Sequence, residues 1–84
     1  MTYHIVLKQR VIKALVEINE PHYSQIRQAI YGLVENPRPY GYIKLKGKHG
    51  YRIRVGDYRI IYDIKDNILL VEVLELGHRK EIYG

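Results

Sequence analysis

Hydrophobic residues recur at helical spacing through the first half of the chain, after a short segment that differs. Residues 2–7 alternate loosely and predict a first strand. The apolar side chains of residues 8–18 then fall on one helical face. Pro21 predicts the start of a second helix, capped by Asn19 or Glu20, and Asn36-Pro37 predicts its end. Helices joined this closely are expected to form a hairpin.

The second half of the chain alternates with a period of two, which predicts strands. We expect strands over residues 42–46, 51–55, 58–64 and 68–76, with turns between them and a polar tail over 77–84. Glu72 and Glu75 are expected on opposite faces of the last strand. The order of elements predicts an α+β domain in which the N-terminal strand and two-helix hairpin pack on one face of a small, mainly antiparallel sheet. The other face of the sheet is expected to be open.

A two-residue turn at Gly56-Asp57 fixes the register of one predicted hairpin. Arg54 then lies opposite Arg59, and the alternation places Arg52 on the same face, away from the helices. Directly opposed like charges on a sheet cost about 0.2–1 kcal/mol. A bound anion would reverse the sign of that effect, so the three arginines predict an anion site.

Two other arrangements would also make these arginines compatible with folding. Their side chains can splay into water, or they can pair with the nearby carboxylates of Asp63 and Glu72. Either arrangement would leave the three arginines without a role in binding.

The charge distribution points to the same part of the chain. The net charge is +5, and residues 38–59 contain seven basic residues and one acid, so this segment carries the whole excess. Such a patch attracts polyanions, of which nucleic acid is the first candidate, although a merely solvated surface is the alternative. Lys44, Lys46 and Lys48 alternate beside the predicted hairpin and could extend the arginine surface as RNA-binding residues.

Several classes of site are not expected in this chain. Without cysteine there can be no disulfide or cysteine zinc site. The histidines are not spaced as metal ligands and the acids do not cluster, so we expect neither a metal nor a cofactor. The length of 84 residues predicts a single domain over 1–84. No apolar run approaches a membrane span and residues 1–10 lack a signal-peptide core, so a cytoplasmic location is expected.

A resemblance to a known family rests on three parts of the chain. The first is Leu45-Lys46-Gly47. The second is the segment 51–62, with Arg52 and Arg54, the Gly56-Asp57 turn and the pair Tyr58-Arg59. The third is Gly77-His78-Arg79, followed by Tyr83. Together they resemble the RelE/ParE superfamily of toxins from type II toxin–antitoxin systems. The Gly-His-Arg run and the late tyrosine favour its RelE-like mRNA interferase branch.

The resemblance implies a ribosome-dependent, metal-independent endoribonuclease that inhibits translation by cleaving mRNA through attack of a 2′-hydroxyl. Arg52 and Arg54 match a basic strand pair, and Arg59 matches a phosphate-binding arginine. Arg79 matches a proposed general acid, and Tyr83 matches a tyrosine that stacks on the substrate base. The implied partners are the ribosome with its mRNA, an acidic RelB-like antitoxin, and operator DNA bound through that antitoxin.

One departure from the family pattern changes the expected chemistry. The best-known member has lysines at the positions of Arg52 and Arg54. Arginine stays charged at cellular pH, so Arg54 is expected to stabilise charge rather than accept a proton. His78, which precedes Arg79, becomes the candidate base because histidine titrates near neutral pH. Two other functions fit the residues: a ParE-like non-enzymatic toxin that inhibits DNA gyrase, and a plain nucleic-acid-binding module.

Overall fold

A computed structural model of the chain describes residues 2–78. The elements in chain order are β1 (His4–Leu7), α1 (Gln9–Val16), α2 (His22–Glu35), β2 (Ile43–Lys44), β3 (Tyr51–Val55), β4 (Tyr58–Lys65) and β5 (Leu70–His78), with a 3₁₀ turn at Asp66–Ile68. The strands form one sheet in the order β1-β5-β4-β3-β2, in which β1 runs parallel to β5 and the other neighbours are antiparallel. The predicted α+β architecture is confirmed.

Both helices bury an apolar stripe against one face of the sheet. In α2 the stripe consists of Ile26, Ile30 and Leu33, whose three- and four-residue spacing brings them to one side of the helix. These side chains and Val11 of α1 pack with the inward residues of β3, β4 and β5. Tyr62 of β4 is completely buried there. The core therefore lies between the helices and one face of the sheet.

The ends of α2 differ slightly from the prediction. Pro21 takes the N-cap position and the helix begins at His22. Neither Asn19 nor Glu20 is the cap, although the Glu20 carboxylate accepts hydrogen bonds from Ser24 N–H (2.9 Å) and Ser24 Oγ (2.6 Å). These bonds hold the pKa of Glu20 below its usual value. Asn36 ends the helix as predicted.

Three strands have bounds that differ by two residues from those predicted, and the first is β1, which begins at His4 rather than at residue 2. β2 comprises only two residues, because the Leu45 N–H bonds to the Gly50 carbonyl (3.0 Å) and so begins the loop that leads to β3. β5 starts and ends two residues later than expected, so Gly77 and His78 belong to the strand rather than to a polar tail. They pair with Arg59 and Tyr58 at the start of β4.

β5 contains a β-bulge that corrects the expected positions of its two glutamates. Ile61 lies opposite Glu75 but Tyr62 lies opposite Val73, so Leu74 is an extra residue in the ladder. The extra residue changes the alternation, and Glu72 and Glu75 consequently share one face. That face is the one turned away from the helices.

Candidate functional site

The hairpin of β3 and β4 has the predicted register. Arg54 lies opposite Arg59, and Arg52 lies opposite Ile61. Residues paired directly across a ladder share a face, so Arg52, Arg54 and Arg59 all lie on the side of the sheet away from the helices. We call this side the arginine face. The residues expected on the other side belong to the core or pack against it: Tyr51, Ile53, Val55, Tyr58, Ile60 and Tyr62.

The three arginines differ in their exposure. Arg54 is exposed and Arg52 is half-buried, whereas Arg59 is only 6% exposed. Ile61, on the same face of β4, is also buried. The expectation of an open face is therefore wrong at its centre. β4 is the middle strand, so long strands flank its side chains on both sides. β3 has β4 on one side, but its other neighbour is β2, which comprises only two residues.

The carboxylates proposed to neutralise the arginines have other contacts. Glu72 forms ion pairs with Lys8 (3.5 Å) and Lys65 (3.9 Å). The Asp63 carboxylate accepts a hydrogen bond from the backbone N–H of Ile64 (2.9 Å). Glu72 thus balances two lysines at the β1 side of the sheet.

Arg38 belongs to the basic segment of the sequence, but its guanidinium contacts other residues of the fold. Its guanidinium donates to the Asp66 carboxylate (2.8 Å), which also accepts a hydrogen bond from the Tyr3 hydroxyl (2.5 Å). The bonds from Arg38 and Tyr3 hold the pKa of Asp66 below its usual value, and the same contact raises the pKa of Tyr3. The Arg38 guanidinium also lies over the ring of Tyr51, 5.8 Å from its centre.

The three lysines do not simply extend the arginine face. Lys44 lies opposite Tyr51 and so shares the helix side of the sheet, which corrects the expected alignment. Lys46 and Lys48 are exposed in the loop between β2 and β3. Lys44 and Lys48 line an open groove of about 680 Å³ together with His49. The lysines form a second cationic region beside the hairpin.

The structure does not bring His78 together with the arginines. His78 lies opposite Tyr58 and shares its face, with the two rings 5.5 Å apart, and His22 of α2 contacts the same tyrosine at 5.7 Å. The sequence suggested a base because His78 precedes Arg79, but the alternation of the strand turns its side chain towards the helices. Arg79 and Tyr83 lie outside the described residues.

Tyr40 is a candidate site residue that the sequence prediction did not single out. It is fully exposed, and it lines a groove of about 410 Å³ with Gly41, Arg52, Ile53 and Arg54. The tyrosines were mostly expected in the core, as Tyr62 is. The signal that could have singled out Tyr40 is its position between Pro39 and Gly41, because such a triplet favours an exposed turn.

Residues 2–78 contain neither a metal-binding cluster nor a helix able to cross a membrane. No three histidine, aspartate or glutamate side chains among them are grouped so as to hold a metal ion. None of the helices described in that range is long and apolar enough to cross a membrane.

Comparisons with known proteins agree with this architecture. Residues 5–83 match the family model described as the ParE toxin of the type II toxin–antitoxin system parDE. Among solved structures, RelE in the archaeal RelE–RelB complex of Pyrococcus horikoshii OT3 is 33% identical, with 94% of this chain and 97% of that chain covered and a TM-score of 0.82. No curated protein matches the sequence.

Two further solved structures are similar. The isolated E. coli RelE toxin is 26% identical, with coverage of 96% of this chain and 90% of that chain and a TM-score of 0.78. The RelB–RelE complex of Methanococcus jannaschii gives 25% identity, coverage of 93% and 94%, and a TM-score of 0.74.

Fold and family together define a toxin of a type II toxin–antitoxin system. The chain belongs to the ParE toxin family, within the RelE/ParE superfamily. The predicted family resemblance is confirmed at the level of the superfamily.

Proposed function

We propose that this toxin is a ribosome-dependent endoribonuclease that cleaves mRNA without a metal ion and so inhibits translation. The observation that carries the proposal is the directly opposed pair Arg54 and Arg59 on the arginine face. An anion placed between two guanidinium groups turns their repulsion into attraction, and arginine matches the oxygens of a phosphate through its planar fork. The similarity to RelE toxins supports RNA as the source of that phosphate.

The proposed reaction is an attack of the 2′-hydroxyl oxygen on the adjacent phosphorus. The bond from phosphorus to the 5′-oxygen breaks, and the products carry a 2′,3′-cyclic phosphate and a 5′-hydroxyl. Negative charge grows on the phosphoryl oxygens in the transition state, where Arg54 and Arg59 would stabilise it. Arg59, held in place by burial, is suited to a fixed contact, while exposed Arg54 can approach a bound strand.

Because His78 faces the helices, we do not assign it as the base that removes the 2′-proton. The resemblance to the family suggests Arg79 as the acid that protonates the leaving oxygen and Tyr83 as a residue that stacks on a base. Arg52 is assigned to phosphate binding beside Arg54, and Lys46 and Lys48 to contacts with more distant phosphates.

An acidic antitoxin is the proposed protein partner. Two of the similar RelE structures are complexes with RelB. The net charge of +5 favours an acidic partner that covers the arginine face, and operator DNA would be bound through that antitoxin. Action on ribosomes would place the toxin in the cytoplasm.

Primer extension on mRNA from cells that express the toxin tests the proposed cleavage. The wild type should produce new 5′ ends within translated regions, and Arg54→Ala should reduce their formation by about 10²–10³-fold. Arg27→Ala is the matched control, because it removes the same charge from the exposed surface of α2. Equal cleavage by Arg54→Ala, or no cleavage by a wild type that arrests growth, would contradict the proposal.

The match to the ParE family model favours a second candidate function. A ParE-like toxin would inhibit DNA gyrase by binding, without cleaving RNA. After induction, the supercoiling of a reporter plasmid and the incorporation of labelled amino acids should be followed together. Early loss of amino-acid incorporation supports the endoribonuclease, and early loss of supercoiling supports the gyrase inhibitor.

A further inference from the structure

The loop between α2 and β2 presents an aromatic ring next to the arginine face. Tyr40, in this loop, is fully exposed, whereas most tyrosines of the chain are buried or half-buried. A single exposed aromatic residue is ordinary on a protein surface. The inference therefore depends on how the ring is held and on what lies beside it.

The backbone around Tyr40 forms a tight turn. The Tyr42 N–H donates to the Pro39 carbonyl (3.0 Å), and Gly41 has a φ of +90°. A hydrogen bond from the fourth residue back to the first, with a positive φ at the third, is the pattern of a type II turn, with Tyr40 at its first central position. The turn holds the backbone of Tyr40 in place, so presenting its ring to a ligand requires little further ordering.

Tyr40 lines two grooves. One has a volume of about 410 Å³ and is lined by Tyr40 with Arg52 and Arg54. The other, of about 280 Å³, is lined by Tyr40 and Arg54 together with Ala29, Gly32, Asn36, Pro39 and Ile53. Tyr40 and Arg54 are thus common to both grooves. An aromatic residue and an arginine therefore line the same two grooves at this edge of the sheet.

We propose that Tyr40 is a stacking platform for a nucleobase of single-stranded RNA, next to a phosphate bound by Arg54. A nucleotide combines an anionic phosphate with a flat aromatic base, and single-stranded RNA is commonly recognised by aromatic stacking together with basic contacts. The Asp and Glu side chains of an acidic peptide would satisfy Arg54 but offer no aromatic face to the ring. The inference rests on the proposed function and adds a residue that determines how the RNA strand is placed on the arginine face.

Binding of a short RNA that cannot be cleaved tests the role of Tyr40 separately from catalysis. The probe is a fluorescein-labelled, 2′-O-methylated oligonucleotide of eight residues, followed by fluorescence anisotropy at one fixed salt concentration. Tyr40→Ala should raise the Kd about 10-fold, because a stacking contact is lost, while Tyr40→Phe should keep the wild-type Kd. Tyr31→Ala is the matched control, because Tyr31 is a half-exposed tyrosine on α2 that contacts Arg27.

A probe with one abasic position distinguishes stacking from other effects of the substitution. The abasic change should weaken binding to the wild type at one position of the strand and should have no such effect on Tyr40→Ala. Unchanged RNA binding by Tyr40→Ala, equal loss in Tyr40→Phe, or no detectable RNA binding by the wild type would each overturn the inference. If Tyr40→Ala instead weakens only the complex with the antitoxin, the ring serves protein recognition.

The outcomes also separate this inference from the proposed function. A wild type that binds the probe through Tyr40 but cleaves no mRNA would support the stacking platform and contradict the endoribonuclease. A toxin whose Tyr40→Ala variant binds the probe and cleaves mRNA normally would contradict only the stacking platform.

Discussion

Arg54 and Arg59 are neighbours of the same type in different surroundings. Their opposition could be predicted from the sequence, because a two-residue turn leaves one register for the hairpin. The burial of Arg59 could not be predicted, since the register of a hairpin fixes which face a side chain shares but not how exposed that side chain is. Charge and position thus follow from local sequence, and exposure follows from the tertiary structure.

Arg54→Ala is expected to lower activity without lowering stability. Removing the exposed member of an opposed like-charge pair should leave the free energy of unfolding unchanged or raise it by about 0.2–1 kcal/mol. Urea denaturation measures this change, and mRNA cleavage measures the expected loss of activity in the same preparation. Arg27→Ala should show no such gain, because Arg27 lies over the Tyr31 ring (5.3 Å) in an attractive contact. A loss of more than about 1 kcal/mol in Arg54→Ala would show that Arg54 supports the fold.

At the scale of elements, the sequence predicted helices and strands with a periodic pattern better than it predicted local irregularities. The stripe of Ile26, Ile30 and Leu33 was sufficient to predict α2, because a helix must bury such a face. The bulge at Leu74 was not predicted, since β5 is nearly all apolar and its alternation carries little information. The same strand continues to His78, which the polar composition after Leu76 had assigned to a tail.

The loop from β2 to β3 depends on a glycine at position 50. Gly50 has a φ of +115°, and a Cβ there would come within 3.0 Å of the Tyr62 carbonyl oxygen. Gly50→Ala should therefore lower the free energy of unfolding by about 2 kcal/mol or more. Gly47→Ala is the control, because Gly47 has a φ of +71° in open space and should cost only about 1–2 kcal/mol for the left-handed backbone. Equal effects in chemical denaturation would mean that the contact with Tyr62 is unimportant.

At the scale of the whole molecule, a few polar contacts join segments that are distant in sequence. Tyr3 and Arg38 meet at Asp66, which joins the residues before β1, the loop after α2 and the turn between β4 and β5. Tyr62, deep in the core, donates to the Pro37 carbonyl (2.7 Å) and fixes the same loop from inside. Burial of Tyr62 raises its pKa, so the hydroxyl remains a donor at any physiological pH. The sequence contained these residues but gave no indication of their pairing.

The contact at Asp66 predicts a dependence of stability on pH. The pKa of Asp66 is lowered in the folded chain, so its contribution is present above the unfolded value of about 3.9 and is lost as the pH falls through the lower, folded value. The Tm of Asp66→Asn should therefore lie below that of the wild type at pH 6, and the difference should shrink towards pH 2. Asp57→Asn, in the exposed hairpin turn, is the control and should show a smaller difference. A gap in Tm that stays constant from pH 6 to pH 2 would contradict this linkage.

The extra residue in β5 makes the strand tolerant of a particular change in length. Losing Leu74 would leave Val73 followed directly by Glu75, and both would keep the sides of the sheet they occupy now. Losing a residue from a regular stretch of β5, by contrast, would turn every later side chain of the strand over. Homologues that are one residue shorter in this strand can therefore keep Gly77 beneath the arginines and His78 beneath the helices, provided that the gap falls at Leu74.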